Sequence, residues 1–347
     1  MKVDYIIVGL GLAGLAFAEE LERNKKSFTV YEDESQNSSR VAGGVYNPVI
    51  LKRFTPVWDA FNQLEIAIPF YKSLEKKLNI QIDHPLDIYR IFTSVEEQNN
   101  WFNACDKPFF TDYMIPKVIK NTTQKINAPY GLGKITNTGK VGTEVLLEAY
   151  KNYLIEKNQL INERFDYFEI NFMDNSVSYK NITAKKIIFC EGYGVVKNPY
   201  FATVPLKEAK GELLNIHSPN LKIDFTIKSS VFIMPLGDDT YKVGATFNWE
   251  DKTTNPTREA REELENKLQK IITVPYKVIN QKAGIRPTVK DRRPIIGKHP
   301  NHPQLAILNG LGTRGVMLAP KMAKQLYNHL ENNQELLKEV DISRFKN

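Results

Sequence analysis

Cysteine is scarce in this 347-residue chain. Cys105 and Cys190 are the only two, and neither sits in a C-x-x-C or metal-type spacing. That excludes a disulfide framework and fits a reducing, cytoplasmic setting. Five histidines are scattered without ligand spacing, so no metal site is expected. No Ser-His-Asp or Cys-His nucleophile arrangement is recognisable, and there is no internal repeat or low-complexity segment. Apolar runs are too short for a membrane span. The stretch Tyr5–Ala18 carries three glycines and runs straight into Glu19-Glu20, so it reads as a buried strand and helix start rather than an export signal. Basic residues outnumber acidic ones by 47 to 40, a surplus of +7. Yet no basic block exceeds two or three residues. A solvated lysine-rich surface and attraction to an anionic substrate or nucleic acid both remain open.

What is present points to two intertwined domains. The length suits two, and 42% hydrophobic with 25% charged residues is ordinary for a globular protein. Val3–Val8 is an apolar run suited to a central parallel strand, Leu12–Arg23 has helical spacing, and Ser27–Tyr31 is a second strand. Helices are expected over Phe61–Leu78, Thr143–Lys157, Thr257–Ile272 and Ala319–Leu330. Lys185–Cys190 and Leu305–Leu308 read as further buried strands. Residues 81–135 are mixed, aromatic and turn-rich, and strand-like alternation dominates from Gly211 to Phe247. Parallel-sheet signals therefore occur at both ends and in the middle, with antiparallel-looking material between them. An α/β nucleotide domain interrupted by a sheet-based second domain explains this order.

Gly9-Leu10-Gly11-Leu12-Ala13-Gly14 fits G-x-G-x-x-G. Gly9 permits the tight turn, Gly11 admits a pyrophosphate to the backbone, and Gly14 allows close helix–strand packing. The helix starting near Leu12 presents free N–H groups and the positive end of its dipole. Glu32 closes the next strand 18 residues after Gly14, where a carboxylate accepts from ribose hydroxyls. This pattern gives a dinucleotide site without choosing between FAD and NAD. Gly310, Gly312 and Gly315 precede a second helix, whose N-terminal backbone donors suit a ring that gains negative charge on reduction. Arg286 stands between Ile285 and Pro287. An arginine in such apolar company needs a partner, and its planar fork suits a carboxylate. That partner is either a substrate or an internal acid such as Asp291.

Several segments, taken in order, resemble the D-amino-acid-oxidase-like (DAO) family of FAD-dependent oxidoreductases. They are Ser39-Arg40-Val41-Ala42-Gly43-Gly44, Cys190-Glu191-Gly192 at a strand end, Lys210-Gly211-Glu212, Phe232–Pro235 with Val243–Thr246, Gly284-Ile285-Arg286-Pro287 with Asp291 and Pro294–Gly297, and Gly310–Gly315 with Leu318–Pro320. The family includes glycine and sarcosine oxidases and the oxidase domain of a bifunctional tRNA wobble-uridine modification enzyme. The resemblance implies a discontinuous Rossmann-like, glutathione-reductase-like FAD-binding domain over 1–80, 136–205 and 283–347. An interleaved α+β substrate domain on a mostly antiparallel sheet would take 81–135 and 206–282.

The resemblance also implies non-covalent FAD, held by the motifs above through Gly9, Gly11, Leu12, Ala13, Gly14, Glu32, Arg40, Ala42, Gly43, Gly44, Cys190, Glu191, Gly192, Gly284, Arg286, Gly310, Gly312, Thr313, Arg314, Gly315 and Val316. It casts Arg286 as the anchor of a substrate carboxylate. Arg314 contacts substrate or flavin or braces its loop; it lies one position later than the arginine of many glycine oxidases. Tyr46, in the Ala42–Pro48 stretch that resembles the tRNA oxidase domain, faces the pocket or the core. The implied activity is oxidation of the C–N bond of an amino acid or N-substituted glycine. Alternatives are removal of a carboxymethyl group from a modified wobble uridine in tRNA, an inactive FAD-binding protein, and an NAD-dependent dehydrogenase.

Overall fold

The computed structural model describes residues 1–345, so the last two residues of the expected 283–347 segment lie outside it. Strand Lys2–Val8 lies between Phe28–Tyr31 and Ile182–Phe189, parallel to both. Leu160–Ile161 extends the sheet beyond Phe28–Tyr31, again in parallel. Ile182–Phe189 shares its far edge between two partners: antiparallel Val177–Tyr179 near its start and parallel Leu305–Asn309 near its end. Tyr5, Ile6 and Ile7 are fully buried because both faces of the sheet are covered. Strands covered on both faces read as unbroken apolar runs, which is how this one reads. Helices Leu12–Arg23 and Gly315–Asn332 pack within one apolar layer. On the other side Tyr31, Phe165, Tyr179 and Phe189 form an aromatic layer, with Phe165 stacked on Tyr179 at 4.1 Å between ring centroids.

The second sheet has eight strands in the order Lys277–Val289, Leu206–His217, Thr240–Gly244, Phe232–Gly237, Thr226–Lys228, Ile88–Ile91, Leu132–Ile135 and Met114–Ile119. All neighbours are antiparallel except Thr226–Lys228 beside Ile88–Ile91. Segments from 88–135 and 206–289 thus share one sheet although 70 residues lie between them in the chain. Fold class follows: a mixed α/β architecture with a parallel nucleotide-type sheet and a mostly antiparallel partner.

Three differences from the sequence expectations have physical reasons. Helix Val95–Cys105 lies within the stretch expected to be turn-rich, and the Ser94 hydroxyl caps it by accepting the Glu97 N–H at 3.1 Å. Strand Lys277–Val289, of which the sequence singles out only the Gly284–Pro287 stretch, pairs with Leu206–His217 on either side of a bulge at Ile279. The last long helix begins at Gly315, not Ala319, despite Pro320 inside it. Proline there removes the N–H that the Val316 carbonyl would accept. The Tyr71 hydroxyl supplies the replacement, donating to that carbonyl at 2.9 Å. No helix among the described residues is long and apolar enough to cross a membrane.

Gly14 shows how tightly helix and strand meet: a Cβ there would lie 2.0 Å from the Gly9 carbonyl oxygen. Backbone cannot yield as a flexible side chain does. Gly14→Ala is expected to lower the stability measured by chemical denaturation by about 1–3 kcal/mol. An unchanged midpoint would contradict this packing.

Candidate functional site

A cleft of about 1260 Å³ runs from the carboxyl ends of the parallel strands to one face of the antiparallel sheet. Open parallel sheets place ligands at that edge, where neighbouring connections diverge. Val8, Tyr31 and Cys190 mark the strand ends, and Gly211, Leu213 and Phe232 mark the opposing sheet. At the first turn Gly9 has φ +96°, a conformation in which a side chain is strained, and its missing Cβ would sit 2.7 Å from the Cys190 carbonyl oxygen. Gly11 lets Ser39 approach, and the Ser39 hydroxyl accepts the Leu12 N–H at 3.3 Å. Helix Leu12–Arg23 therefore opens onto the cleft with first-turn N–H groups that lack intrahelical acceptors. Leu12 and Ala13 line the cleft, whereas Gly14 lies behind them against the strand.

Glu32 lines the same end. Its two carboxylate oxygens accept the backbone N–H groups of Leu10 and of Glu34, the latter at 2.6 Å. Burial raises its pKa, and these two hydrogen bonds oppose the rise. Cys190 falls just past the end of its strand rather than within it; its thiol is buried, which pushes its pKa up and suppresses the thiolate. Glu191 accepts hydrogen bonds from Tyr167 Oη at 2.5 Å and Asn198 Nδ2 at 2.8 Å. Its burial outweighs them and lifts its pKa to about 7.

Two glycine turns meet at the other wall. Asn309 Nδ2 donates to the Gly192 carbonyl at 2.9 Å, and Asn309 Oδ1 accepts the Gly310 N–H at 2.7 Å. Gly310 and Gly312 both have positive φ, +72° and +56°, which turns the chain into helix Gly315–Asn332. Gly312, Thr313, Arg314, Gly315 and Val316 face the cleft, and Gly310 does not. Ala42, Gly43, Gly44, Gly192 and Gly284 line it as well. Arg40 points elsewhere and pairs with Glu148 at 3.0 Å. Tyr46 is buried outside the cleft, donating its hydroxyl to Asp83 at 2.9 Å with Gly139 against its ring.

Arg286 lies on the cleft face of the antiparallel sheet. A Cβ on Gly211 would come within 1.8 Å of its guanidinium, so that glycine makes the slot in which the side chain rests. Phe247 lies 4.2 Å from the guanidinium carbon, and both Nη atoms donate to the Thr246 carbonyl at 3.3 Å. No carboxylate among the described residues pairs with it. Asp291, the internal alternative, bonds Arg344 at 2.9 Å instead. Burial pulls the Arg286 pKa down to about 10, still fully charged near neutrality. Arg314 also lines the cleft, with no ion pair among the described residues; burial, then the charges of Arg292, Arg293 and Arg53, lower its pKa. Sequence reasoning missed Leu10, Asn309, Phe247, Lys228 and Arg90 as lining residues. Leu10, inside the Gly9–Gly14 motif, and Asn309, immediately before Gly310, carried a local cue.

A glycine cradle at one helix N-terminus, a carboxylate at the end of the second strand and a second helix entry across the cleft define a dinucleotide-binding oxidoreductase. The chain belongs to the DAO family of FAD-dependent oxidoreductases, whose family model matches residues 4–328. It is 23% identical to glycine oxidase of Bacillus subtilis, over 99% of this chain and 98% of that protein. It is 18% identical to the tRNA 5-methylaminomethyl-2-thiouridine biosynthesis bifunctional protein MnmC of Marinobacter nauticus, over 94% of this chain but only 55% of that protein. Among solved structures, glycine oxidase from Geobacillus kaustophilus superposes with a TM-score of 0.81 at 19% identity, covering 99% of this chain and 98% of that one. The cleft accommodates the family's cofactor on the structure's own terms, since the first turn of helix Leu12–Arg23 and the Glu32 carboxylate line one part of it and the second helix entry, Gly312 to Val316, lines another.

Glu191 yields a pH prediction. A carboxyl whose pKa is higher in the folded than in the unfolded state binds more protons when folded, so its contribution to stability falls as pH rises from about 4.5 to 7. Glu191→Gln is expected to flatten the decline in melting temperature across that interval and to raise it above pH 7. A slope identical to the wild type would contradict the burial argument.

Proposed function

We propose that this enzyme oxidises the C–N bond of an amino acid or N-substituted glycine, with the substrate carboxylate held by Arg286. The observation that carries the reading is Arg286 itself: a charged fork at the cleft wall, seated in a slot cut by Gly211, with no acid paired to it among the described residues. Such a group gains most from a ligand carboxylate, which can accept two parallel N–H bonds. Residues 1–80, 136–205 and 283–345 would hold the cofactor, and 81–135 with 206–282 would shape the substrate side. Gly9, Gly11, Leu12, Ala13 and Glu32 would hold the dinucleotide's phosphates and ribose, and Gly312 to Val316 its ring end. FAD supplies the two-electron acceptor. The protein's share is orientation: Arg286 fixes one end of the amine, while Phe232, Ala245 and Phe247 give it an apolar wall.

Non-covalent attachment is favoured because the cleft wall holds no histidine and its single cysteine, Cys190, is a buried neutral thiol. The two unpaired thiols, Cys105 and Cys190, suit a cytoplasmic setting. Anaerobic mixing with glycine, sarcosine, proline and D-amino acids should bleach the flavin with at least one of them. In Arg286→Gln the rate at subsaturating substrate should fall by a factor on the order of 10² or more, about 3 kcal/mol for a lost charged pair. Bleaching unaffected by this substitution would sink the assignment.

One observation favours a second reading, the tRNA-directed oxidase. Arg53, Arg292, Arg293 and Arg314 gather near the cleft, Arg293 lies 4.7 Å over the ring of Trp58, and neighbouring acids Asp59 and Asp291 are committed to Lys321 and Arg344. Unpaired arginines beside an aromatic ring suit phosphates and a base. This reading predicts tRNA binding that weakens steeply with salt and weakens further in Arg292→Ala/Arg293→Ala. Salt-insensitive or absent binding in a filter assay rules it out.

A further inference from the structure

Among the cations that line the cleft, Lys228 is one that the proposed chemistry leaves unused. Lys228 ends strand Thr226–Lys228, which is paired on both edges, with Lys228 opposite Phe232 on one side and Arg90 on the other. Phe232 in turn faces Gly244, Gly244 faces Leu213, and Leu213 faces Lys282. Directly paired residues project to the same side of a sheet, so this row lies on one face. Arg286 is four residues beyond Lys282 on the same strand and therefore on that face too. Independently, Arg90, Lys228, Phe232, Leu213 and Arg286 all line the cleft.

Lys228 is half-buried, and no hydrogen bond or ion pair engages its ammonium among the described residues. The nearest charges offer it no relief. Arg90 is paired with Glu97 at 2.6 Å and Lys267 with Glu263 at 2.5 Å. Burial first, and then the charges of Arg90 and Lys267, pull the Lys228 pKa down to about 8, so the group stays mostly protonated near neutrality. A desolvated ammonium without a counter-ion is unfavourable, and the geometry places the remedy in the cleft rather than in the protein.

We propose that Lys228 is a specificity-determining residue that binds a second anionic group of the substrate, remote from the carboxylate held by Arg286. The proposal rests on the carboxylate role of Arg286 and adds the substrate class. The two backbones stand four strands apart, roughly 19 Å, and four residues apart along the strand, roughly 13 Å, so about 23 Å in all. The preferred amine is therefore extended and carries anionic groups at both ends, a carboxylate near the reacting nitrogen and a carboxylate or phosphate at the far end. A glycine-sized molecule cannot reach both cations.

The test is calorimetric binding to the FAD-loaded protein, with no turnover required. Linear α,ω-dicarboxylates of four to ten carbons are compared with monocarboxylates of equal length, and the best diacid is repeated with a phosphonate at one end. At least one doubly charged probe should bind about tenfold more tightly than its singly charged match, the size expected for one added charge-assisted contact. Lys228→Gln should abolish that preference while leaving the monoacid affinity in place, and Lys228→Arg should retain it. Equal binding of diacids and monoacids at every length, or a preference that survives in Lys228→Gln, overturns the proposal. Monoacid affinity unchanged in Arg286→Gln would instead overturn the carboxylate-anchor reading, so the two failures are distinguishable.

Discussion

An arginine held at the wall of a cleft without an anion is the constraint around which the substrate side is organised. Desolvating a guanidinium is costly unless hydrogen bonds or opposite charge answer it. Here the described residues supply a carbonyl, an aromatic face and space, and no carboxylate. The space is specific: Gly211 is the residue directly beneath the guanidinium, and any side chain there would occupy its place. The carbonyl belongs to Thr246 and the ring to Phe247, both from the segment that follows strand Thr240–Gly244. Position of the cation thus depends on how firmly that segment is held.

It is held by pairing with the neighbours of Gly211, Thr246 with Glu212 and Asn248 with Lys210, and the side chains of those two neighbours extend the hold into a buried polar network. Lys210, fully buried, donates to Asp251 at 2.5 Å and to the Asn255 carbonyl. Glu212, also buried, accepts from the Thr257 N–H at 2.9 Å, the Thr257 hydroxyl at 2.8 Å and Gln281 Nε2 at 2.7 Å. Flanking residues of one strand therefore tie down residues 251–257, while the glycine between them opens toward the cleft. Thr257 in turn caps helix Arg258–Gln269 by accepting the Ala260 N–H at 3.3 Å. Fully satisfied buried networks of this kind favour one arrangement over its neighbours.

Legibility in the sequence followed the range of the interactions. The opening strand, turn and helix were readable because their determinants are local: an unbroken apolar run, glycines at fixed spacing, and an acid one strand later. Arg286 was readable because an arginine between isoleucine and proline is out of place. Helix Val95–Cys105 was obscured by its polar surface, although Ser94 and Glu97 stood at capping-box spacing. The first half of strand Lys277–Val289 is polar and partly exposed, so alternation gave little sign of it. Tyr46 looked equally suited to pocket and core, and its hydrogen bond to Asp83 places it in the core. Lys228, Arg90 and Phe247 carry no motif at all. They reach the cleft through pairings between strands far apart in the chain, which spacing along one segment does not encode.

The most direct measurement is a crystal structure of the FAD-loaded protein soaked with a small, non-oxidisable carboxylate. The account predicts the dinucleotide phosphates at the start of helix Leu12–Arg23, its ribose at Glu32, and the carboxylate bound through both Nη atoms of Arg286. A carboxylate bound elsewhere in the cleft, with the Arg286 guanidinium still directed only at the Thr246 carbonyl, would contradict it.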